Sequence, residues 1–161
     1  MTKRSHNSRG NKKKLAQYLG IEPPFLIIDE LIHHQFEKRV ESLVYLDPSK
    51  WFFQCHFVNN PLMPGHLISE AMIQTASLLI GWEEKSKKEP HSLYVTSSKT
   101  SFLKFVKPGG IMRIVAKPVK IISFAAIFSA KAYVGKNKVA DGEFISRIIN
   151  EKHFKNDKRK R

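Results

Sequence analysis

Residues 52–74 read Phe52-Phe53-Gln54-Cys55-His56-Phe57-Val58-Asn59-Asn60-Pro61-Leu62-Met63-Pro64-Gly65-His66-Leu67-Ile68-Ser69-Glu70-Ala71-Met72-Ile73-Gln74. An aromatic stretch gives way to a proline-bounded turn and then to the start of a helix. Pro64 and Gly65 suit a helix start, where a missing N–H and a small residue are tolerated. From there Leu67, Ile68, Ala71, Met72, Ile73, Ala76, Leu78, Leu79, Ile80 and Trp82 cover most of the circumference. A helix apolar nearly all round is buried, so the spacing predicts one long central helix over 65–84. Glu83, Glu84, Lys85, Lys87 and Lys88 mark its exit to solvent.

Working outward, Phe25-Leu26-Ile27-Ile28 follows Pro23-Pro24 as a short apolar run entering the core. Residues 39–46 begin with alternation and read as a strand, and 47–64 read as irregular. Beyond Pro90 the period changes. Residues 91–106, 111–120, 122–134 and 138–149 are rich in Val, Ile, Phe, Tyr and Ser and read as strands. Pro108-Gly109-Gly110 separates the first two, and Gly135-Lys136-Asn137 makes a hairpin turn between the last two. Short connections imply antiparallel pairing. The fold class is α+β: one buried helix against a long antiparallel sheet.

Within this frame three groups invite chemistry. Glu70 lies in the second turn of a helix that otherwise wants to be buried. A lone carboxylate there is costly unless it is hydrogen-bonded or holds its proton. It can serve as a general acid, or simply be satisfied by backbone N–H groups at the helix start. His56, in a loop flanked by aromatics, can be a base or a structural residue. The Gly65 N–H is one of the unpaired donors at a helix start, where an oxygen gaining negative charge would be stabilised.

The segment resembles the signature of the 3-hydroxyacyl-acyl-carrier-protein dehydratases of bacterial fatty acid synthesis. Their pattern runs Phe-Phe-Gln-Gly-His-Phe-Pro-Gly-x-Pro-x-Met-Pro-Gly-x-Leu-x-x-Glu-Ala-Met-x-Gln. It is matched without a gap at Phe52, Phe53, Gln54, His56, Phe57, Pro61, Met63, Pro64, Gly65, Leu67, Glu70, Ala71, Met72 and Gln74. Pro24-Phe25-Leu26-Ile27-Ile28-Asp29, Leu93-Tyr94 and Pro108-Gly109 resemble further family landmarks, so the likeness spans roughly residues 20–150. It implies a hotdog fold, a central helix wrapped by a curved antiparallel sheet, with homodimers formed through the sheets and a trimer of dimers as a further assembly. It implies a site at the dimer interface, with His56 of one chain facing Glu70 of the other. His56 would take the proton α to the thioester carbonyl, Glu70 would protonate the departing 3-hydroxyl, and the Gly65 N–H would hold the enolate-like oxygen. Substrates would be linked to an acyl carrier protein and the product would be a trans-2-enoyl thioester. No cofactor or metal is expected. The alternative is a hotdog acyl-thioester-binding protein or a thioesterase, which would need only the acid on the helix.

The sequence departs from the pattern at Cys55, where a glycine is usual, and at Val58-Asn59, where Pro-Gly is usual. Cys55 reads as a small buried filler, and His66, in place of an aliphatic residue, as surface or core filler. The basic run that meets the carrier protein in this family is reduced to Lys99, Lys104 and Lys107. His33 and His34, if on a strand, point to opposite faces.

The 161 residues, 42% of them apolar, are enough for one domain with a real core. No run of apolar residues is long enough to span a membrane, no secretory signal opens the chain, and a single cysteine suits a reducing cytoplasm. The net charge of +14 is concentrated at the ends. Residues 1–14 hold Lys3, Arg4, Arg9, Lys12, Lys13 and Lys14 and no acid. Residues 152–161 hold Lys152, Lys155, Lys158, Arg159, Lys160 and Arg161 against Asp157. Both read as basic flexible tails flanking a domain at 15–151. A nucleic-acid role would rest on these tails alone.

Overall fold

Residues 4–80 and 91–150 are described by the computed structural model of the chain. The elements run α1 (Arg4–Leu19), β1 (Glu30–Gln35), β2 (Arg39–Tyr45), α2 (Trp51–Cys55), α3 (Gly65–Ser77), β3 (His91–Phe102), β4 (Ile111–Ile122), β5 (Ala125–Val134) and β6 (Asn137–Asn150). Alternation makes the sheet. Val40, Ser42 and Val44 on β2, Met112, Ile114 and Ala116 on β4, and Ala126, Phe128, Ala130 and Ala132 on β5 are buried, while their neighbours along each strand are less so. Every pairing is antiparallel and the strand order is β1-β2-β4-β5-β6-β3. The strand first in sequence after α3 therefore sits last in the sheet, bonded to β6 and forming an edge.

Helix α3 lies across the inner face of this sheet, against β2 through β6. Ile68, Ala71, Met72, Thr75 and Ala76 face inward, and Ala116, Ala130 and Ala132 opposite them let helix and sheet approach closely. Thr75 donates to the Ala71 carbonyl at 2.7 Å, so it is Ser42 that donates across the 2.6 Å contact with the Thr75 hydroxyl, tying α3 to β2. This is the expected hotdog arrangement.

Three expectations change. The helix predicted over 65–84 stops at Ser77, and 81–84 lie outside the described residues. Its end is tightened by short-range bonds from Leu78 N to Thr75 O and Leu79 N to Ala76 O. The β1–β2 hairpin then takes the open carbonyls: His34 Nε2 donates to Leu78 O at 3.0 Å and Glu37 N to Leu79 O at 3.3 Å. Strand β1, which carries His33 and His34, is new, as is the short helix α2 inside the stretch read as irregular. The sequence reading also makes 1–14 a flexible tail, whereas one helix, Arg4–Leu19, crosses that boundary. Leu15 and Ala16 are buried in the core. Gly20, at φ 66°, closes the helix with its N–H on Ala16 O. The proposed tail at 152–161 lies outside the described residues.

Asp29 clamps this end of the molecule. Its carboxylate meets Lys12 of α1 at 2.6 Å and Lys50 at 2.5 Å, and accepts the Tyr45 N–H at 2.8 Å. Burial pulls the Lys50 ammonium below the usual lysine range, against the pull of Asp29. One cation of the supposed tail is thus a partner of a buried acid.

If α1 is part of the domain, Leu15→Ala should cost about 2–5 kcal/mol of unfolding free energy. The exposed neighbour change Lys13→Ala should stay within about 0.5 kcal/mol. Denaturant midpoints of the two variants check this.

Candidate active site

Short helix α2 delivers His56. Phe52 and Phe53 turn inward to the core, and the chain leaves the helix at His56, whose N–H donates to Phe52 O at 3.0 Å. The loop beyond folds back on itself. Leu62 N donates to His56 O at 2.7 Å, and His56 Nδ1 lies 3.0 Å from Leu62 O. A carbonyl oxygen only accepts, so Nδ1 donates, and in the neutral ring Nε2 carries the lone pair. The ring is partly exposed and lies 3.9 Å, centroid to centroid, from Phe57, to which it is joined by a cis peptide. Phe57 and Val58 are exposed beside it.

Met63 then pairs with Val106 O at 2.8 Å and fixes the approach to α3. Gly65 opens the helix under the ring of Phe102, and a Cβ at 65 would lie 3.0 Å from that ring. No hydrogen bond among the described residues takes the Gly65 N–H. Glycine here allows the close approach and keeps the amide uncluttered.

Glu70, one turn into α3, is half-buried, and its Oε1 accepts from Gln74 Nε2 at 2.9 Å. Gln74 is 2% exposed and fully engaged. Its Oε1 accepts from Ile27 N at 2.9 Å and Ile28 N at 3.3 Å, and its Nε2 also donates to Phe25 O at 2.8 Å. These backbone partners settle which end of the amide is which, so Gln74 must present an N–H to Glu70. Sequence reasoning matched Gln74 to a pattern but gave it no task. The available signal was its place four residues after Glu70, on the same helical face.

The remaining candidates scatter. Cys55, read as buried filler, is exposed, because Phe52 and Phe53 take the inward face of α2; its thiol points to Trp51 O at 3.4 Å. His66 is exposed, and so are Lys99, Lys104 and Lys107. Among the described residues no hydrogen bond or ion pair joins His56 to Glu70, and no group of His, Cys, Asp or Glu could hold a metal. None of the described helices is long and apolar enough to cross a membrane.

A buried central helix and a wrapping antiparallel sheet define a hotdog-fold protein. The chain belongs to the FabA-like domain family, which it matches over residues 21–143. It is 33% identical over 125 residues to a 3-hydroxyacyl-[acyl-carrier-protein] dehydratase of Clostridium kluyveri, covering 78% of this chain and 86% of that one. It is 32% identical over 144 residues to the corresponding dehydratase of Chlamydia abortus, covering 86% and 94%. A bifunctional LpxC/FabZ enzyme of Chlorobaculum tepidum is 32% identical over 130 residues, and there the match spans 28% of the longer protein. Among solved structures, a dehydratase heterocomplex from Xenorhabdus doucetiae superposes with a TM-score of 0.72 at 15% identity over 86% of this chain and 92% of that one. A mutant thioesterase from Pseudomonas aeruginosa superposes at 0.62 and 10% identity over 93% and 96%. At such identities the structures speak to the fold, which dehydratases and thioesterases share.

Gln74→Leu should leave Glu70 without its donor, and a misplaced acid should lower kcat by up to about 100-fold. KM should change far less. A parallel loss in KM and kcat, tracking a lower melting temperature, would mark Gln74 as structural only. Steady-state kinetics beside thermal melts separate the two.

Proposed function

We propose that the chain dehydrates 3-hydroxyacyl thioesters, carried on an acyl carrier protein, to trans-2-enoyl thioesters. The observation that carries this reading is the bond from His56 Nδ1 to the Leu62 carbonyl. It leaves Nε2 as a base held in one orientation, on the segment that leads directly into Gly65 and Glu70. Such a base can take the C2 proton next to the thioester carbonyl. The charge that develops on the carbonyl oxygen is met by the Gly65 N–H at the positive end of α3. Glu70, in its acid form and aligned by Gln74, gives its proton to the C3 hydroxyl, which leaves as water. The bookkeeping closes with one proton gained by His56 and one lost by Glu70, which solvent exchange resets. A thioesterase would have no use for an oriented base at position 56.

The reading includes a paired site. β3 bonds to β6 on one side and ends the sheet, and its Tyr94, Val95 and Phe102 are substantially exposed. A second β3 alongside would continue the sheet, shield this edge and bring His56 of one chain to Glu70 of its partner. Pairs of this kind would assemble further into a trimer of dimers, and an enzyme working on carrier-linked substrates would act in the cytoplasm.

His56→Ala and Glu70→Gln should each lower turnover of a 3-hydroxyacyl thioester by about 100- to 10,000-fold with the fold intact by circular dichroism. Enoyl absorbance is the measure, and release of free thiol in its place would identify a thioesterase. Near-normal dehydration by either variant would end the assignment.

Mixing the two inactive variants should restore part of the activity, since some heterodimers then hold one intact site. No recovery after subunit exchange, verified by mass spectrometry, would put both residues of each site in one chain.

A further inference from the structure

The turn between β4 and β5 carries unusual side chains. At the other end of β5 the chain reverses through Gly135, at φ 57°, and Lys136, as tight hairpins commonly do. Between β4 and β5 it reverses through Ser123 and Phe124, with Ile122 opposite Ala125. Phe124 is 61% exposed, Val119 58% and Ile122 40%. Val119 is the extra residue of a bulge, since Pro118 pairs with Phe128 and Lys120 with Ile127. Bulges of this kind re-aim a side chain, and here the side chain is apolar and aimed at water. A reversal needs none of these three residues, and grouped apolar side chains on a surface mark a contact.

Charge says what kind of contact. Lys117 and Lys120 are exposed on the same hairpin, and Arg147 of β6 lies opposite Ala125. From Pro90 to Ala140 the sequence holds nine Lys and Arg and no Asp or Glu. The domain's near balance of charge therefore conceals a strongly basic half. Glu143 opposite Ser129 and Glu41 opposite Val115, acids in register with the hairpin, both stand back from the reversal. β6 runs to this same end, where Ile148 N donates to Phe124 O at 3.0 Å. The sequence that continues past Asn150 adds six Lys and Arg against Glu151 and Asp157. A second copy of the chain would bring like charge to this tip. An anionic bilayer answers both features: apolar side chains enter the boundary between headgroups and acyl chains while lysine heads meet the phosphates.

We propose that the β4–β5 tip, formed by Val119, Ile122 and Phe124 with Lys117 and Lys120, is a surface anchor that holds the protein on bilayers rich in anionic lipid. The anchor lies on the membrane and does not span it. It is independent of the proposed reaction. The tip stands the length of β4 from the loop that packs beside the start of α3, about 35 Å at the usual rise per residue. Strand β6 separates it from the β3 edge, so pairing of sheets through β3 leaves it open.

The test is co-sedimentation of the full-length chain with phosphatidylcholine vesicles, with and without phosphatidylglycerol. The wild type should pellet with the anionic vesicles and not with the neutral ones, and added salt should weaken binding as the Debye length shortens. Val119→Ser/Phe124→Ser should reduce partitioning about ten-fold or more, while turnover of a small thioester and the mass in light scattering stay unchanged. Lys117→Glu/Lys120→Glu should reduce it comparably. Failure of the wild type to pellet with anionic vesicles overturns the proposal. So does equal binding by Val119→Ser/Phe124→Ser, which would leave only diffuse charge attraction. A smaller assembly in that variant would overturn it too, by assigning the tip to a contact between copies.

Discussion

The amide of Gln74 is the joint on which the site depends. It is buried on the central helix, and each of its two ends has work to do. The oxygen satisfies two N–H groups of the Phe25–Ile28 segment, which runs through the core without forming a strand and would otherwise bury unpaired donors. The nitrogen bridges Phe25 O and the Glu70 carboxylate. One side chain thus stabilises an irregular piece of backbone and orients an acid. A buried polar group so completely paired holds one geometry, because any other leaves several groups unsatisfied.

The same economy recurs at His56, where one residue, Leu62, makes both contacts. Its N–H holds the His56 carbonyl and its carbonyl holds the His56 ring. The ring and the loop are therefore set by a single reciprocal pair, and the glycine that follows at 65 is held under Phe102. These supports come from backbone atoms and from an aromatic ring on β3. They do not come from a charged network.

Much of the architecture could be read from the residues because burial imposes periodicity. β2, β4 and β5 alternate, and Pro64-Gly65 announces α3. β1 was hidden: Glu30-Leu31-Ile32-His33-His34-Gln35 does not alternate, and its turn lacks glycine and asparagine. α1 was hidden behind its lysines, since its anchoring residues Leu15 and Ala16 fall at its C-terminal end. The end of α3 was overrun because its apolar pattern continues to Trp82, while the stop is set by donors of the β1–β2 hairpin. At the candidate site the residue types and spacing were legible. The tautomer of His56 and the task of Gln74 were not, because their partners are backbone atoms, and those of Gln74 lie 46 to 49 residues away.

The place of β3 in the sheet has a consequence for how the molecule comes into being. β4, β5 and β6 are joined by tight reversals and can zip together from local contacts. β3 precedes them in the chain yet pairs with the last of them, His91 against Asn150, so closing that loop requires the β4–β5–β6 meander to exist first. The edge offered to a second chain is thus among the last parts of the monomer to form. Assembly then follows folding in time, and the longest edge of the sheet is absent while the chain is still incomplete. During that interval the open edge is that of β6, which β3 covers only when it docks.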